Sequence, residues 1–361
     1  MKALVAMSGG VDSSVTALLL KEQGYDLVGA TMQVHKNGID GKENLCCTTK
    51  DIDDAKTIAK ELGFEHKVYD FADEFEECVI KKFVDAYKNG TTPNPCVDCN
   101  KNFKFGGLLK AADELGCDVL ATGHYARVKY NEETNQYELW TGKDPTKDQT
   151  YVLYHLSQEQ LAKVKFPLGE YTKDEIREIA RGNDMIVADK KDSFDLCFVT
   201  EGTVSDYIED YTGEKVGPGN LVDINGKVVG EHQGYYRYTI GQRKGIMTSR
   251  LGKNYVKEIH PEENEVVVAR NKDLFSDKLI ADEFSWISGE TPVEPLKVQG
   301  RTRYHKALAD CTVNVIGDGK VEITFDEPQR AVTKGQAVVI YEGDKVLGGG
   351  TITDVFSTIE E

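Results

Sequence analysis

The chain has 361 residues, of which 40% are hydrophobic, and its formal net charge is −17. This length and apolar content are enough for two or three domains with buried cores, so disorder along the whole chain is disfavoured. No apolar run approaches the ~18 to 20 residues of a membrane span, and the first residues do not read as a signal peptide. We therefore expect a cytoplasmic protein with no membrane partner.

The negative charge also disfavours nucleic acid as a partner, because a polyanion repels an acidic protein unless a local patch is basic. Two segments are locally basic. Residues 297–306 carry four Lys or Arg and no acid, and residues 242–250 carry three and no acid. Each segment is either a basic binding patch or, as composition alone favours, ordinary charge on solvated loops.

The first part of the chain alternates strand-like apolar runs with helical periodicity. The predicted strands are 2–7, 26–34, 66–70 and 118–122. The predicted helices are 13–24, 51–63, 71–88 and 104–116. This rhythm predicts an α/β fold with a mostly parallel sheet and helices on both faces, in which ligands bind at the carboxyl ends of the strands.

The pattern stays helical over 172–183 and 204–211 and then becomes rich in glycine and short β-type runs. These runs are 226–230, 255–259, 266–269, 312–316, 321–325 and 337–341. One or two small antiparallel barrels are therefore expected. The predicted domains are a catalytic domain over 1–205, a small β-rich domain over 206–275 and a β-barrel over 276–361.

Two adjacent glycines follow the first predicted strand, in Ser8-Gly9-Gly10-Val11-Asp12-Ser13. Glycines at this place let successive N–H groups point inward, and the next helix adds its positive end, so the segment is typical of an anion site. The segment fits neither G-x-x-x-x-G-K-[ST] nor G-x-G-x-x-G, and it contains no lysine. Asp12 beside bound phosphates suits Mg²⁺. The alternative is a glycine turn with a helix cap.

Eight cysteines are present, and without an export signal they favour metal-binding or catalytic roles over structural disulfides. Cys96 and Cys99 stand in C-x-x-C spacing after two prolines, but no second zinc half-site follows. Cys197 lies between Leu196 and Phe198, which on its own favours a buried core residue.

Taken together, five motifs carry a resemblance to a known family. They are the glycine loop, T-P-N-P-x-x-x-C-N from Thr92, Gly123-His124-Tyr125-Ala126, D-S-x-x-x-C-F from Asp192, and Y-T-I-G-Q-R-K-G over 238–245. The loop alone resembles the pyrophosphate-binding loop of ATP pyrophosphatases. The full set, in this order over nearly the whole chain, resembles the tRNA-specific 2-thiouridylase family.

The resemblance implies an enzyme that replaces the C2 oxygen of wobble uridine 34 with sulfur in the tRNAs for Lys, Glu and Gln. ATP, with Mg²⁺, would first adenylate that oxygen, because an amide-like oxygen is a poor leaving group. By similarity Cys197 would carry a persulfide received from a cysteine desulfurase or a sulfur-relay protein. Cys99 would release the sulfur, either by forming a disulfide with Cys197 or by liberating sulfide. Asp12 completes the implied catalytic set.

Further positions follow from the resemblance, residue by residue. The implied ATP contacts are Ala6, Met7, Ser8, Gly9, Gly10, Val11, Asp12, Ser13, Met32 and Gly123. The implied contacts to the target base are Asn94, Pro95 and Cys96. The implied tRNA contacts are His124, Lys147, Asp148, Gln149, Arg303, Tyr304 and Gln336. Taken singly, His124 and Met32 suit core packing, and residues 147–149 suit a surface turn.

One departure from the family pattern opens a second mechanism. Many family members have Asp where this chain has Cys96, so Cys96, Cys99 and Cys197 together are candidate ligands of a [4Fe–4S] cluster. Cys46 and Cys47 carry no assigned role. Two other functions stay open: an ATP pyrophosphatase with a small-molecule acceptor, and a non-enzymatic scaffold that binds metal or RNA.

Overall fold

The structure, a computed structural model, describes residues 1–35, 48–191, 196–199, 202–246 and 253–357. Cys46 and Cys47, the first part of the D-S-x-x-x-C-F motif, and the end of the basic segment 242–250 lie outside these residues. Within the described ranges, each helix is too short or too polar to cross a bilayer.

The described strands are numbered β1 to β17 along the chain. They are β1 Lys2–Ala6, β2 Asp26–Gln33, β3 Glu65–Asp70, β4 Val119–Ala121, β5 Ala126–Asn131, β6 Gln136–Thr141, β7 Val164–Lys165, β8 Gly219–Val222, β9 Val228–His232, β10 Tyr255–His260, β11 Glu265–Ala269, β12 Phe275–Trp286, β13 Leu296–Arg301, β14 Ala309–Gly317, β15 Lys320–Arg330, β16 Ala337–Glu342 and β17 Lys345–Phe356.

The described α-helices are α1 Val11–Glu22, α2 Thr49–Glu61, α3 Ala72–Phe75, α4 Lys81–Lys88, α5 Pro95–Cys99, α6 Leu108–Glu114, α7 Gln158–Lys163, α8 Lys173–Gly182 and α9 Val204–Thr212. Wider π-helical turns over Glu76–Ile80 and Asn100–Gly107 join α3 to α4 and α5 to α6. The helix predicted from residue 104 thus begins earlier, at Pro95, because Asn94 caps its first turn and proline suits that position.

A five-stranded parallel sheet forms the predicted catalytic domain, in the order β3-β2-β1-β4-β7. Strands β1, β2 and β4 are largely apolar on both faces, as expected when helices cover both sides, whereas the edge strand β3 is polar. Within β1, Leu4 packs into one core, whereas Ala3 and Val5 pack into the core on the opposite face. The predicted parallel α/β fold is confirmed, and it places the glycine loop at the carboxyl end of the central strand.

The C-terminal region is a closed antiparallel barrel, which confirms the barrel expected there. Its strands run in the order β12-β15-β14-β13-β16-β17, and pairing of β12 with β17 closes the ring. The central region is a four-stranded sheet, β10-β11-β8-β9, in which β8 and β11 are parallel. This parallel pair departs from the wholly antiparallel pattern that the short β-runs predicted.

A hairpin from the catalytic domain extends the barrel. Strands β5 and β6 were not predicted, and β6 pairs with β17 through Lys345 opposite Trp140 and Val346 opposite Leu139. Leu139, fully buried, packs in one hydrophobic core that also contains Leu4 of the parallel sheet and Val339 of the barrel. The catalytic domain and the barrel therefore share one core, although each also has a core of its own.

We expect Leu139→Ala to lower the free energy of unfolding by about 2–5 kcal/mol, because it leaves a cavity in this shared core. Hydrogen exchange measured at increasing denaturant concentration should show that the backbone amides of both β1 and β16 lose protection in the variant. Val293→Ala is the matched control, since Val293 is 95% exposed and should change stability by less than about 0.5 kcal/mol. Loss of protection in the barrel alone would contradict a shared core.

Candidate active site

The glycine loop turns sharply between β1 and α1. Gly10 is the N-cap of α1 and offers no side-chain cap, so the first N–H groups of the helix are left for another acceptor. Gly9 has φ +68°, and a Cβ there would lie 2.2 Å from the carbonyl oxygen of Asp51. Only glycine fits this position. The uncapped end of a 12-residue helix is a suitable site for phosphate oxygens.

Serine side chains hold the loop in this shape. The Ser13 hydroxyl accepts a hydrogen bond from the N–H of Ser8 at 3.1 Å and donates one to the Gly10 carbonyl at 3.1 Å. The Ser14 hydroxyl donates to the same carbonyl at 2.9 Å. The loop is therefore preorganised by its own residues, which limits the entropy lost when a ligand binds.

Asp12 is bound by two residues that lie far away in the sequence. Lys173 Nζ donates to both carboxylate oxygens of Asp12 at 2.8 Å, and the Tyr125 hydroxyl donates to Oδ1 at 2.8 Å. The Lys173 side chain is only 9% exposed. The lysine that the loop motif lacks is thus supplied by the first turn of α8. Sequence analysis missed this role of Lys173, since nothing local in the chain signals it.

A second lysine fixes the loop from the other side. Lys190 Nζ donates to the Gly9 carbonyl at 2.8 Å, to Asp51 at 2.6 Å and to Asp54 at 2.7 Å. Asp51 also forms a reciprocal cap with Thr48 at the start of α2. The loop, α2 and the chain that leads toward Cys197 therefore meet at one ammonium group, which compensates two carboxylates beside an anion site.

The remaining expected ATP contacts lie along the same edge of the sheet. A Cβ on Gly123 would lie 3.1 Å from the Asp12 backbone, so the chain after β4 passes directly beside the loop. Met32 is half-buried near the end of β2 and packs against two apolar clusters. Met7 and Val11 are buried. Ala6 ends β1. These positions lie around the loop at the same edge of the sheet.

Cys96 and Cys99 lie one helical turn apart on α5, whose first turn is capped by the Asn94 side chain at 3.2 Å. Cys96 is exposed and Cys99 is half-buried. Cys99 and Cys197 both pack against one apolar cluster that includes Phe103 and Phe198. The fold therefore brings two distant thiols to the same cluster, and both are in the thiol form.

The three-cysteine cluster site is not assembled in this structure. Over the described residues, no three His, Cys, Asp or Glu side chains are grouped closely enough to hold a metal ion. Cys96 faces solvent on α5, whereas Cys99 and Cys197 pack against apolar side chains. The described residues therefore do not fit a [4Fe–4S] cluster.

Some expected tRNA contacts are inside the fold. His124 is 5% exposed, donates to or accepts from Thr122 at 2.6 Å, and lies between Phe105 and Phe166. Burial, followed by the nearby charge of Lys104, holds the pKa of His124 well below its ordinary value, so the ring is neutral at physiological pH. His124 thus has the setting of a packed histidine, whose effect on RNA would be indirect.

The turn at 147–149 is held by the fold in a similar way. Asp148 is buried and pairs with Arg301 at 3.2 Å, and the Gln149 side chain accepts the Tyr125 N–H at 3.0 Å. Lys147 is half-buried. Because Tyr125 also binds Asp12, this turn is connected to the glycine loop through one residue.

Three further expected tRNA contacts lie on the barrel, facing the segment with the target-base motif. Gln336 Nε2 donates to the carbonyls of Thr92 and Pro93 at 2.9 and 3.1 Å. Arg303 and Tyr304 are half-buried beside it. Burial, followed by the charges of Asp148 and Cys96, raises the pKa of Tyr304 to about 12.

Comparison with known sequences gives matches along the chain. Residues 1–201 match the profile described as a tRNA methyl transferase HUP domain. Residues 205–270 match a tRNA methyl transferase PRC-barrel domain, and residues 276–352 match an aminomethyltransferase β-barrel domain.

Several relatives that match over nearly the whole chain are tRNA-specific 2-thiouridylases. The tRNA-specific 2-thiouridylase MnmA of Carboxydothermus hydrogenoformans is 49% identical over 355 residues, which is 97% of each chain. The protein of the same name from Clostridioides difficile is 44% identical over 352 residues, 97% of this chain and 98% of the other. Among solved structures, a 4-thiouridine synthetase in complex with RNA and bound ATP aligns at 15% identity with a TM-score of 0.35, covering 58% of this chain and 50% of that one.

Both the HUP-domain match and the relatives extend over more than half of the chain. The chain therefore belongs to the tRNA-specific 2-thiouridylases, a family of sulfurtransferases.

Proposed function

We propose that this protein uses ATP to adenylate the C2 oxygen of uridine 34 in the tRNAs for Lys, Glu and Gln, and then replaces that oxygen with sulfur. The observation that carries the proposal is the glycine loop, whose Asp12 is bound by Lys173 beside the uncapped end of α1. That arrangement suits a reaction in which pyrophosphate leaves ATP, and the relatives' name supplies the RNA acceptor.

Adenylation solves a problem of leaving-group chemistry. The C2 carbonyl of uracil is amide-like, so its oxygen does not depart unaided. Transfer of AMP from ATP to that oxygen releases pyrophosphate and turns the oxygen into part of a good leaving group. Negative charge develops on the departing pyrophosphate, and the N–H groups of α1 and the Lys173 ammonium lie where they would stabilise it.

Mg²⁺ fits this site, since Asp12 offers a half-exposed carboxylate next to the phosphate cradle. When bound there, the ion would supply additional positive charge to the phosphates. The protein's own contribution is to hold the phosphates against α1, to position Lys173, and to compensate Asp51 and Asp54 through Lys190.

Sulfur would come from a persulfide on Cys197, loaded by a cysteine desulfurase or a sulfur-relay protein. The terminal sulfur attacks C2 of the adenylated uridine, and AMP leaves with the original oxygen. Cys99 thiolate then attacks the sulfur of Cys197, so that a Cys99–Cys197 disulfide forms and the sulfur–sulfur bond electrons go to the new thiouridine. An external thiol reductant must then reduce the disulfide. Placement of both thiols at one apolar cluster supports this pairing.

Uridine 34 lies in a single-stranded loop, so turning it out of its stack should cost at most a few kcal/mol. In this proposal Asn94, Pro95 and Cys96 surround the base, while Arg303, Tyr304 and Gln336 hold the RNA beside it. The hydrogen bonds from Gln336 to the carbonyls of Thr92 and Pro93 support a common site, because they join the barrel to the segment that carries the target-base motif.

Replacing Lys173 with Met should reduce RNA-dependent release of pyrophosphate about 10²- to 10³-fold, because the positive charge that stabilises the departing pyrophosphate is lost. Filter binding should show unchanged affinity for tRNA. Lys143→Met is the matched control, since Lys143 is 47% exposed and pairs at the surface with Glu175. A Lys173→Met protein that folds and keeps the wild-type rate would contradict the role given to Lys173.

Replacing Cys197 with Ser should abolish 2-thiouridine formation while RNA-dependent AMP formation continues. Nucleoside mass spectrometry and labelled ATP measure the two outcomes separately. Cys78→Ser is the control, because Cys78 packs against the same apolar cluster and has no proposed role.

These two measurements also separate the alternative functions. Pyrophosphate release that ignores RNA would favour a small-molecule acceptor. Thiouridine levels indifferent to Cys197→Ser would favour a scaffold.

A further inference from the structure

A basic pocket lies where the three parts of the chain meet. It has a volume of about 530 Å³. Thr92 of the catalytic domain and Thr239 of the central region contribute to its wall, and the barrel contributes Arg303, Lys306 and Arg330. No carboxylate is among its described lining residues, although the chain carries a net charge of −17.

The three cations of this pocket are held by neutral groups. Arg303 Nη2 donates to the Ile240 carbonyl at 2.9 Å and to Thr333, and its Nε is buried with no hydrogen-bond partner among the described residues. Lys306 Nζ donates to the Arg330 carbonyl at 3.3 Å. Within the described chain, none of these three cations pairs with a carboxylate. Their positions are fixed, but their charges are not balanced.

Arg330 connects the pocket to the Y-T-I-G-Q-R-K-G motif, which the proposed chemistry leaves without a role. Arg330 Nη2 donates to the Gly241 carbonyl at 3.4 Å, and Nε donates to Asn271 at 2.8 Å. A Cβ on Gly241, where φ is +84°, would lie 2.8 Å from the Ala331 side chain. The motif therefore packs closely against the barrel. Its carbonyl groups hold the guanidinium groups of Arg303 and Arg330 at the same pocket.

Repulsion between the cations of the pocket adds to the effect of burial on the pKa of Lys306. Burial, followed by the charges of Arg303 and Arg330, lowers the pKa of Lys306 to about 8. Burial likewise lowers the pKa of Arg303. A bound anion would relieve this repulsion, so the pocket is electrostatically suited to an anionic group.

The pocket adjoins the segment that carries the target-base motif. Thr92 lines the pocket, and Asn94 follows it by two residues, a span of at most roughly 7 Å of extended chain. Gln336 lines the same pocket and donates to the carbonyls of Thr92 and Pro93. An anion in the pocket and a base bound at Asn94 would therefore be separated by about the length of one nucleotide.

We propose that this pocket binds one backbone phosphate of the RNA, that of a nucleotide adjacent to the target uridine, through Arg303, Lys306 and Arg330. The inference rests on the proposed function, and it adds Lys306 and Arg330 as phosphate ligands and gives the 238–245 motif the role of holding them. A free phosphate ion offers the same chemistry, and the experiment below separates the two sources.

The test uses an anticodon stem-loop in which single phosphates around uridine 34 are replaced, one at a time, by uncharged methylphosphonates. We expect one replacement to weaken binding to the wild type about 10-fold but to leave binding to Arg330→Ala unchanged. Arg330→Ala should also reduce the slope of log affinity against log salt by about 0.7, the value for one phosphate of a single strand. Lys297→Ala is the control, an exposed lysine in the same basic segment but outside the pocket.

Each outcome bears on the assignment. Methylphosphonates that weaken wild type and Arg330→Ala equally at every position would overturn it, with the proposed function intact. Inorganic phosphate that binds the wild type but not Arg330→Ala, without any methylphosphonate effect, would show a free-anion site and overturn the RNA assignment. A wild type that binds no stem-loop at all would overturn both proposals. Lys297→Ala, which lies outside the pocket, should bind like the wild type, and equal thermal stability of Arg330→Ala and the wild type checks that the variant folds.

The pocket also predicts a pH dependence. Lys306 with a pKa of about 8 loses its proton between pH 7 and 9 in the free protein, whereas a bound phosphate keeps it protonated. Binding then takes up a proton, so stem-loop affinity should fall as pH rises through 8, by at most about 10-fold per pH unit. The other ionisable groups at the pocket are Arg303, Arg330, Tyr304 and His305.

Isothermal titration in buffers of different ionisation enthalpy should measure this proton uptake directly. Lys306→Arg should remove it, since a guanidinium stays charged over this range. His305→Asn should leave it in place, which separates the imidazole from the lysine. Uptake that persists in Lys306→Arg would overturn the assignment of the titration to Lys306.

Discussion

A carboxylate at the mouth of an anion site is the constraint on which this structure depends. Asp12 would repel the phosphates of ATP unless its charge were balanced, and Lys173 balances it with two contacts of 2.8 Å. Because that lysine begins α8, the helix must pack beside α1, and the chain before it must place Tyr125 against the same carboxylate. On the other side of the loop, Lys190 balances the charges of Asp51 and Asp54 in the same way. The shape and charge balance of the glycine loop therefore depend on distant residues as well as on the residues of the loop itself.

The apolar core explains how the glycine loop and the barrel keep a fixed relative position. Leu4, Leu139 and Val339 belong to the parallel sheet, the hairpin and the barrel, and they share one buried cluster. Gln336 adds polar contacts from the barrel to Thr92 and Pro93. A site built across such an interface stays preorganised. The proposed reaction needs this, because it brings a base, ATP and two thiols together.

Local sequence patterns predicted the strands, helices and turns whose formation depends on residues that are neighbours in the chain. Alternating apolar strands and capped helices gave the parallel sheet, and the glycine pair marked the turn where φ is positive at Gly9. The hairpin β5–β6 was missed, since its strands are short and half-exposed and are stabilised by pairing with β17. Lys173 was missed for a related reason: its role exists only once α8 is placed against α1. The C-x-x-C motif was found, but the helix that begins at Pro95 was not expected there.

The hairpin has a consequence for how this architecture diversifies. Strands β5 and β6 lie early in the chain, inside the segment matched as a HUP domain, yet they complete the sheet of a barrel at the other end. Recombination between genes joins two chains at one point in sequence, so a single crossover between 201 and 275 transfers the six strands that close the barrel but leaves the hairpin behind. A shuffled descendant that exchanged only the terminal region would keep a closed barrel, but Lys345 and Val346 of β17 would lose the partner strand β6 that this protein supplies.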